Sequence, residues 1–195
     1  MHGLFNRSIQ NFVCDTYGPA VWEASARHAN LDFIEFEAML EYDDAITPAI
    51  LDAVSKTVER PRVDVMEDIG TYLVSHPRFE GTRRLLRFGG VNFEDFLHSL
   101  DDLADRARLA LSDLHLPRIE LRDHVDGHFL LICEAPVAGY GHVMMGVLRV
   151  MADDYGALAL LEHTGGGQGI ETVSVTLVKT DFSEGRRFDL GARAS

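Results

Sequence analysis

A chain of 195 residues with 46% hydrophobic side chains can fill one sizeable core and reads as a single domain. Its 31 acidic against 18 basic side chains give a formal charge of −13, which repels phosphate backbones and anionic lipid, so nucleic acid is not an expected partner. No apolar run reaches the roughly 18 residues of a membrane span, and Asn6, Arg7, Gln10 and Asn11 interrupt any signal-peptide core, which gives the expectation of a cytoplasmic protein without a membrane segment.

Phe5, Ile9, Phe12, Val13 and Tyr17 recur at helical spacing, Gly18-Pro19 punctuates, and Val21, Trp22 and Ala26 open a second amphipathic stretch. A third helix is expected after Thr47, read as its N-cap with Pro48 at the first helical position, running through Ile50, Leu51, Val54 and Val58 to a stop near Arg60-Pro61. Val63 to Ser75 predicts another helix, ended at His76-Pro77 because the residue before proline is pushed out of the helical region. A further turn covers Arg84 to Phe88. Asn92 then caps what reads as the strongest helix of the chain, with Phe93, Phe96, Leu97, Leu100, Leu103, Ala104, Ala107 and Leu111 on one stripe.

After Pro117 the period changes. Ile119 and Leu121, then His128 to Glu134, read as two strands joined through Val125-Asp126-Gly127, a hairpin turn signal. Gly139 to Met151 returns to helical spacing, and Ala157 to His163 and Glu171 to Lys179 read as two last strands around a loop at Gly165-Gly166-Gly167-Gln168-Gly169. Helices first and strands later predict an α+β domain with a small antiparallel sheet. Cys14 and Cys133 form no CxxC pair and read as free or buried thiols.

The opening Met1-His2-Gly3-Leu4-Phe5-Asn6-Arg7, Tyr17-Gly18, Trp22 and the stretch from Phe93 to Pro117 resemble the heme nitric oxide/oxygen binding (H-NOX) family. The resemblance covers about the whole chain. It implies an α+β H-NOX-like fold, N-terminal helices plus a small four-stranded antiparallel sheet, over residues 1–182, with 183–195 a frayed tail. In that family a histidine on the long helix binds the heme iron within a pattern similar to F-L-x-x-L-D-x-x-H. The matching run here is Phe96-Leu97-His98-Ser99-Leu100-Asp101-Asp102-Leu103-Ala104, so the iron-ligand position is Ala104. The family's Tyr-x-Ser-x-Arg, followed by x-Gly-Leu, binds the heme propionates. With Gly139 as that glycine and Tyr140 in place of the leucine, those positions fall on Cys133, Ala135 and Val137. Propionates need a cation and hydroxyl donors against an apolar pocket, and all three donors are replaced. Four substitutions in two separate motifs point to natural divergence of the site.

Phe5, Pro117, His142 and Met144 are the expected pocket-lining candidates, and Phe5, Phe96, Met144 and Met145 are expected to fill the space that heme takes in the family. Pro117 matches a proline that presses on the heme there. His98 lies six residues before Ala104, about 120° around a continuous helix, and cannot replace it without a rotation. His142 is the alternative heme ligand, against a plain polar residue beside the pocket. Cys133 reads as a core cysteine and His2 as structural. His115, His124 and His128 cluster in sequence, but no cysteine or carboxylate spacing completes a metal site, so no metal is expected. The glycine run lacks the Lys-Ser/Thr of a phosphate loop. Arg83, Arg84 and Arg87 form a basic patch, read as a solvated face or a contact for an acidic partner.

No nucleophile, base and orienting acid come together, so no enzyme is expected. The resemblance implies a stand-alone, bacterial, cytoplasmic sensor or regulatory module that no longer holds heme in the family manner and signals through a different pocket ligand, such as a small apolar molecule, or through a protein contact. No cofactor is expected. Its partner would be a histidine kinase or a cyclic-di-nucleotide enzyme. Two alternatives stay open: a heme b gas sensor using a ligand such as His142, and a ligand-free adaptor.

Overall fold

The computed structural model describes residues 2–110, 116–125 and 127–186. In chain order the elements are α1 (Gly3–Tyr17), α2 (Pro19–His28), α3 (Ile46–Thr57), α4 (Arg62–Ser75), a 3-10 turn at Pro77–Phe79, α5 (Glu80–Arg87), α6 (Phe93–His98), α7 (Leu103–Ala110), β1 (Arg118–Val125), β2 (His128–Glu134), α8 (Tyr140–Tyr155), β3 (Leu158–Gly167) and β4 (Ile170–Lys179). The strands form one antiparallel sheet in the order β1-β2-β4-β3. This is the expected α+β architecture. No helix of the described residues is long and apolar enough to cross a membrane.

Local chemistry accounts for the helix ends. The His2 imidazole caps α1 by accepting from Leu4 N–H at 3.2 Å. Gly18, at φ 95°, closes α1 and lets Pro19 open α2. Between α2 and α3 the chain is irregular but pinned: the Trp22 indole donates to the Ile34 carbonyl at 2.7 Å, and Arg7 and Gln10 bond the backbone of the fully buried Phe36. The predicted stop before Pro77 holds, with His76 extended at ψ 137°.

Two apolar cores result. One joins α1 to α4 around Phe12, Trp22, Phe36 and Ile50; the other packs α6 and α8 on the inner sheet face around Phe96, Leu131, Leu148 and Val175. Alternation along β2 turns Phe129, Leu131 and Cys133 inward. Helices α4 and α8 join the cores at a close crossing, where Gly70 faces the Val143 carbonyl and Gly146 faces the Glu67 carbonyl with no room for a methyl.

Four expectations are corrected. Thr47 is not an N-cap: it lies inside α3, buried, and its hydroxyl donates to Asn6 Oδ1 at 2.7 Å, tying α3 to α1. The long helix from Phe93 is two helices, and Leu111 lies outside the described residues. Its break follows from three hydrogen bonds. The Ser99 hydroxyl donates back to the Phe96 carbonyl at 2.7 Å, Arg106 donates to the Ser99 carbonyl at 2.8 Å, and the Asp101 carboxylate accepts from Leu121 N–H on β1 at 2.6 Å. These bonds satisfy a helix end, while Asp101-Asp102 add little helix propensity. The glycine run is not a loop: Gly165, Gly166 and Gly167 belong to β3, and the turn is Gln168-Gly169, at φ 57° and 80°. Finally, residues 183–186 are not frayed. Ser183 N–H bonds Gly156 and Arg186 N–H bonds the Asp154 carbonyl, at 3.0 and 2.9 Å. Residues 187–195 lie outside the described ones.

Candidate functional site

A cavity of about 330 Å³ lies at the seam between the two cores. Helix α1 contributes Phe5, Ser8 and Ile9, α4 contributes Met66, Ile69 and Leu73, and α8 contributes Tyr140, Val143, Met144 and Val147. The link from β2 into α8 closes one wall with Ala135, Pro136 and Val137. Thr82 and Pro136 line the cavity and are also exposed, so it reaches the surface beside them.

The sequence builds this wall from a fixed turn. Ala135 N–H bonds the Gly169 carbonyl at 2.9 Å, which holds the link to the sheet end. Gly139 takes φ 96° at the start of α8, and the Glu171 carboxylate accepts from Gly139 N–H and from Gly141 N–H, the latter at 2.9 Å. His163 Nε2 meets the same carboxylate at 3.1 Å. Burial would raise the Glu171 pKa, but these hydrogen bonds outweigh it and hold the carboxyl below the usual range. A helix N-terminus with an anionic partner is a stable anchor.

The polar groups on the cavity wall are few. The Ser8 hydroxyl donates to the Leu4 carbonyl at 2.8 Å and the Thr47 hydroxyl to Asn6. Tyr140 makes no hydrogen bond to a described residue, and burial, with Cys133 nearby, pushes its phenol pKa far up, so it keeps its proton. No histidine, lysine, arginine or carboxylate is among the described lining residues.

Of the residues singled out in the sequence, Phe5, Pro117, Ala135, Val137 and Met144 line the cavity. Ala104 does not: the α7 residues on the wall are Leu103 and Ala107, one helical turn apart, and Ala104 is half-buried beside them. Cys133 sits in the sheet core, where burial and then Glu171 push its thiol up to about 12. Phe96 and Met145 pack in the same core and do not fill the cavity. His142 also turns away from it, its ring stacked on His163 with centroids 4.3 Å apart. His98 ends α6 with Nε2 3.8 Å from Asp123, so it shares no helix with Ala104 and the expected rotation between them has no meaning here.

The other clusters resolve into local roles. Among the described residues no group of three or more His, Cys, Asp or Glu could hold a metal; His128 meets the Thr176 hydroxyl at 3.1 Å, and His115 lies outside the described residues. The expected basic patch divides: Arg83 forks onto buried Asp154 at 2.6 and 2.7 Å and Arg87 lies 3.5 Å over the Tyr155 ring, while Arg84 pairs with Glu80 at the surface.

The profile of the haem-NO-binding family matches residues 2–162. The chain belongs to the haem-NO-binding family. It is 25% identical to the soluble guanylate cyclase gcy-32 of Caenorhabditis elegans, over 100% of this chain and 30% of that protein. It is 22% identical to soluble guanylate cyclase 89Da of Drosophila melanogaster, over 82% of this chain and 24% of that protein. The chain thus spans 24% to 30% of the length of these relatives. Its fold is that of solved H-NOX proteins: the Fe(II) unliganded protein from K. algicida superposes with a TM-score of 0.79 at 13% identity, covering 92% of this chain and 98% of that one. The Fe(II)NO protein from S. oneidensis gives 0.74 at 16% identity, covering 91% and 99%.

Heme held in the family manner requires an imidazole on the iron and cationic or hydroxyl partners for two carboxylates. The donor set here does not fit it. The described wall offers the iron two methionine thioethers, from Met66 and Met144, and a phenol that burial keeps protonated. It offers the propionates no cation, and Ala135 and Val137 stand where the resemblance places two of their partners.

Sequence reading missed Tyr140, Leu103 and Ala107 as wall residues and Glu171 as the anchor of α8. Tyr140 carried a signal, since it replaces an aliphatic residue in a motif whose other polar groups are gone. Glu171 carried none, because its partners lie some 30 residues away.

Proposed function

We propose that this chain is a sensor or regulatory module of the H-NOX type in which a small apolar ligand takes the place of family-bound heme, residues 1–182 acting as one unit in the cytoplasm. The apolar lining of the cavity is the observation that carries this reading. A space of about 330 Å³ corresponds to roughly 11 waters at about 30 Å³ each, and a wall with so few free polar groups gives such waters little to bond. Left empty, it would cost at most about 8 kcal/mol at about 24 cal/mol per Å³, against a total stability of about 5–15 kcal/mol. An apolar occupant removes that cost.

The reading gives the chain no chemistry of its own. Its output is a conformational change passed to a partner, a histidine kinase or a cyclic-di-nucleotide enzyme, or a cyclase as in the guanylate cyclases it is similar to. Helices α4 and α8 are the elements through which occupancy would be transmitted, because each packs on both the cavity and a core. Expression with a heme precursor, followed by absorbance of the purified protein, tests this directly. The expected result is no Soret band. A strong band near one heme per chain would overturn the proposal.

A further inference from the structure

We propose that the cavity takes a neutral molecule with an apolar body and one hydrogen-bond acceptor, a ketone, ester or ether, held by the Tyr140 hydroxyl. This deepens the reading of the cavity as the input site and rests on it. The size suits a compact ligand, since 330 Å³ is at the lower end of the roughly 300–1,000 Å³ of small-molecule sites. The class follows from charge and from proton bookkeeping on the wall.

A carboxylate or phosphate would be buried without a counterion, because no lysine, arginine or histidine is among the described lining residues. An ammonium group would find no carboxylate there either. Neutrality is therefore selected by exclusion of both signs. Ser8 and Thr47 spend their hydroxyl protons on Leu4 and Asn6. Thr82 stands at the rim, exposed. Tyr140, half-buried on the wall, is left as the hydroxyl with no described partner, and its retained proton makes it a donor. A ligand that brings an acceptor to this hydroxyl gains a hydrogen bond that a hydrocarbon cannot make, and with it affinity. The surface opening beside Thr82 and Pro136 gives such a molecule a way in.

The position of Tyr140 strengthens the case. It opens α8 immediately after Gly139, where the Glu171 carboxylate fixes the backbone through two N–H groups, so the phenol is carried on an anchored residue and not on a loose loop. A preset donor loses little freedom when a ligand binds.

Three probes of matched length test this on the purified full chain: methyl octyl ketone, decane and decanoate, with binding measured by depletion from solution. The wild type is expected to bind ketone and decane with one site per chain and decanoate far more weakly. Tyr140→Phe is expected to weaken ketone binding roughly fivefold, the worth of one net hydrogen bond, and to leave decane unchanged. Ala107→Phe, which adds a bulky side chain at another wall residue, should weaken both. If Tyr140→Phe folds poorly, carbon NMR of carbonyl-labelled ketone bound to the wild type gives the same answer, as a carbonyl resonance downfield of the same ketone dissolved in decane. Equal ketone binding in Tyr140→Phe, a bound carbonyl resonance at its position in decane, or decanoate binding as tight as ketone would overturn the proposed ligand class while leaving an apolar input site standing. Failure of both ketone and decane to bind the wild type would remove the ligand site itself, and with it this inference.

Discussion

Gly70 of α4 and Gly146 of α8 bring two helix backbones into direct contact: a methyl on Gly70 would strike the Val143 carbonyl, and one on Gly146 would strike the Glu67 carbonyl. The contact is reciprocal, each glycine facing a carbonyl three residues from the other glycine. Both helices wall the cavity, so this crossing sets the distance between Met66 and Ile69 on one side and Val143 and Met144 on the other.

Gly70→Ala is therefore expected to push α4 away from α8 and to destabilise the fold by about 1–3 kcal/mol or more, despite the better helix propensity of alanine. Urea denaturation of the variant checks this. A midpoint equal to or above that of the wild type would show that the crossing has slack.

Ala104→His alone is expected not to restore ordinary heme affinity. Leu103 and Ala107 face the cavity, and a side chain at 104 is turned about 100° from Leu103 around the helix. The propionates would still meet Ala135 and Val137, so tyrosine, serine and arginine at positions 133, 135 and 137 should be needed as well. Hemin titration of the single variant followed by reduction is the measurement. A five-coordinate ferrous spectrum at near-stoichiometric heme would defeat the prediction.

Asp154 is fully buried at the end of α8, and its two oxygens accept from Arg83, with Arg186 3.7 Å away. Arg83→Met leaves that carboxylate buried with one distant partner, and removing one member of a buried pair costs about 3–5 kcal/mol. Chemical denaturation should show a loss of this order, larger than for Arg84→Met, whose partner Glu80 is exposed. Equal losses in the two variants would contradict the buried role.

Stability is expected to fall on mild acidification, in part through His142. Burial, then the stacked His163, lowers the His142 pKa below 6.5, against smaller opposing effects from Glu171, Glu67 and Asp64. The unfolded chain then takes up the proton first as pH falls. The His142 contribution is present above pH 6.5 and is lost as pH falls through its folded value. Glu171, with its folded pKa lowered, acts in the same direction further down, losing its contribution below the usual carboxylate range. Melting temperatures measured from pH about 7.5 to about 5 should decline less in His142→Asn than in the wild type. Parallel declines would remove His142 from the account.

Much of the fold was legible because its signals are local. Helical spacing in Phe5 to Tyr17, the His76-Pro77 stop and the Asp126-Gly127 turn signal between two alternating runs each depend on a few consecutive residues, and the strands and most helices fall where these place them. The identity of Ala104, Cys133, Ala135 and Val137 was likewise readable, since a methyl or a thiol at a motif position has the same chemistry wherever the chain puts it. What side chains face is a different kind of fact. The apolar stripe from Phe93 to Leu111 satisfies one long helix by period alone, and only Asp101 reaching Leu121 on β1 and Arg106 reaching Ser99 show why it ends early. The same holds for the cavity wall: His142 and Tyr140 are two residues apart on α8, yet packing against His163 takes one ring outward while the anchored turn at Gly139 leaves the other on the wall. Sequence determined which donors this chain carries, because chemistry belongs to the residue. Tertiary structure decided which of them meet a ligand, because facing and burial depend on contacts between segments distant along the chain.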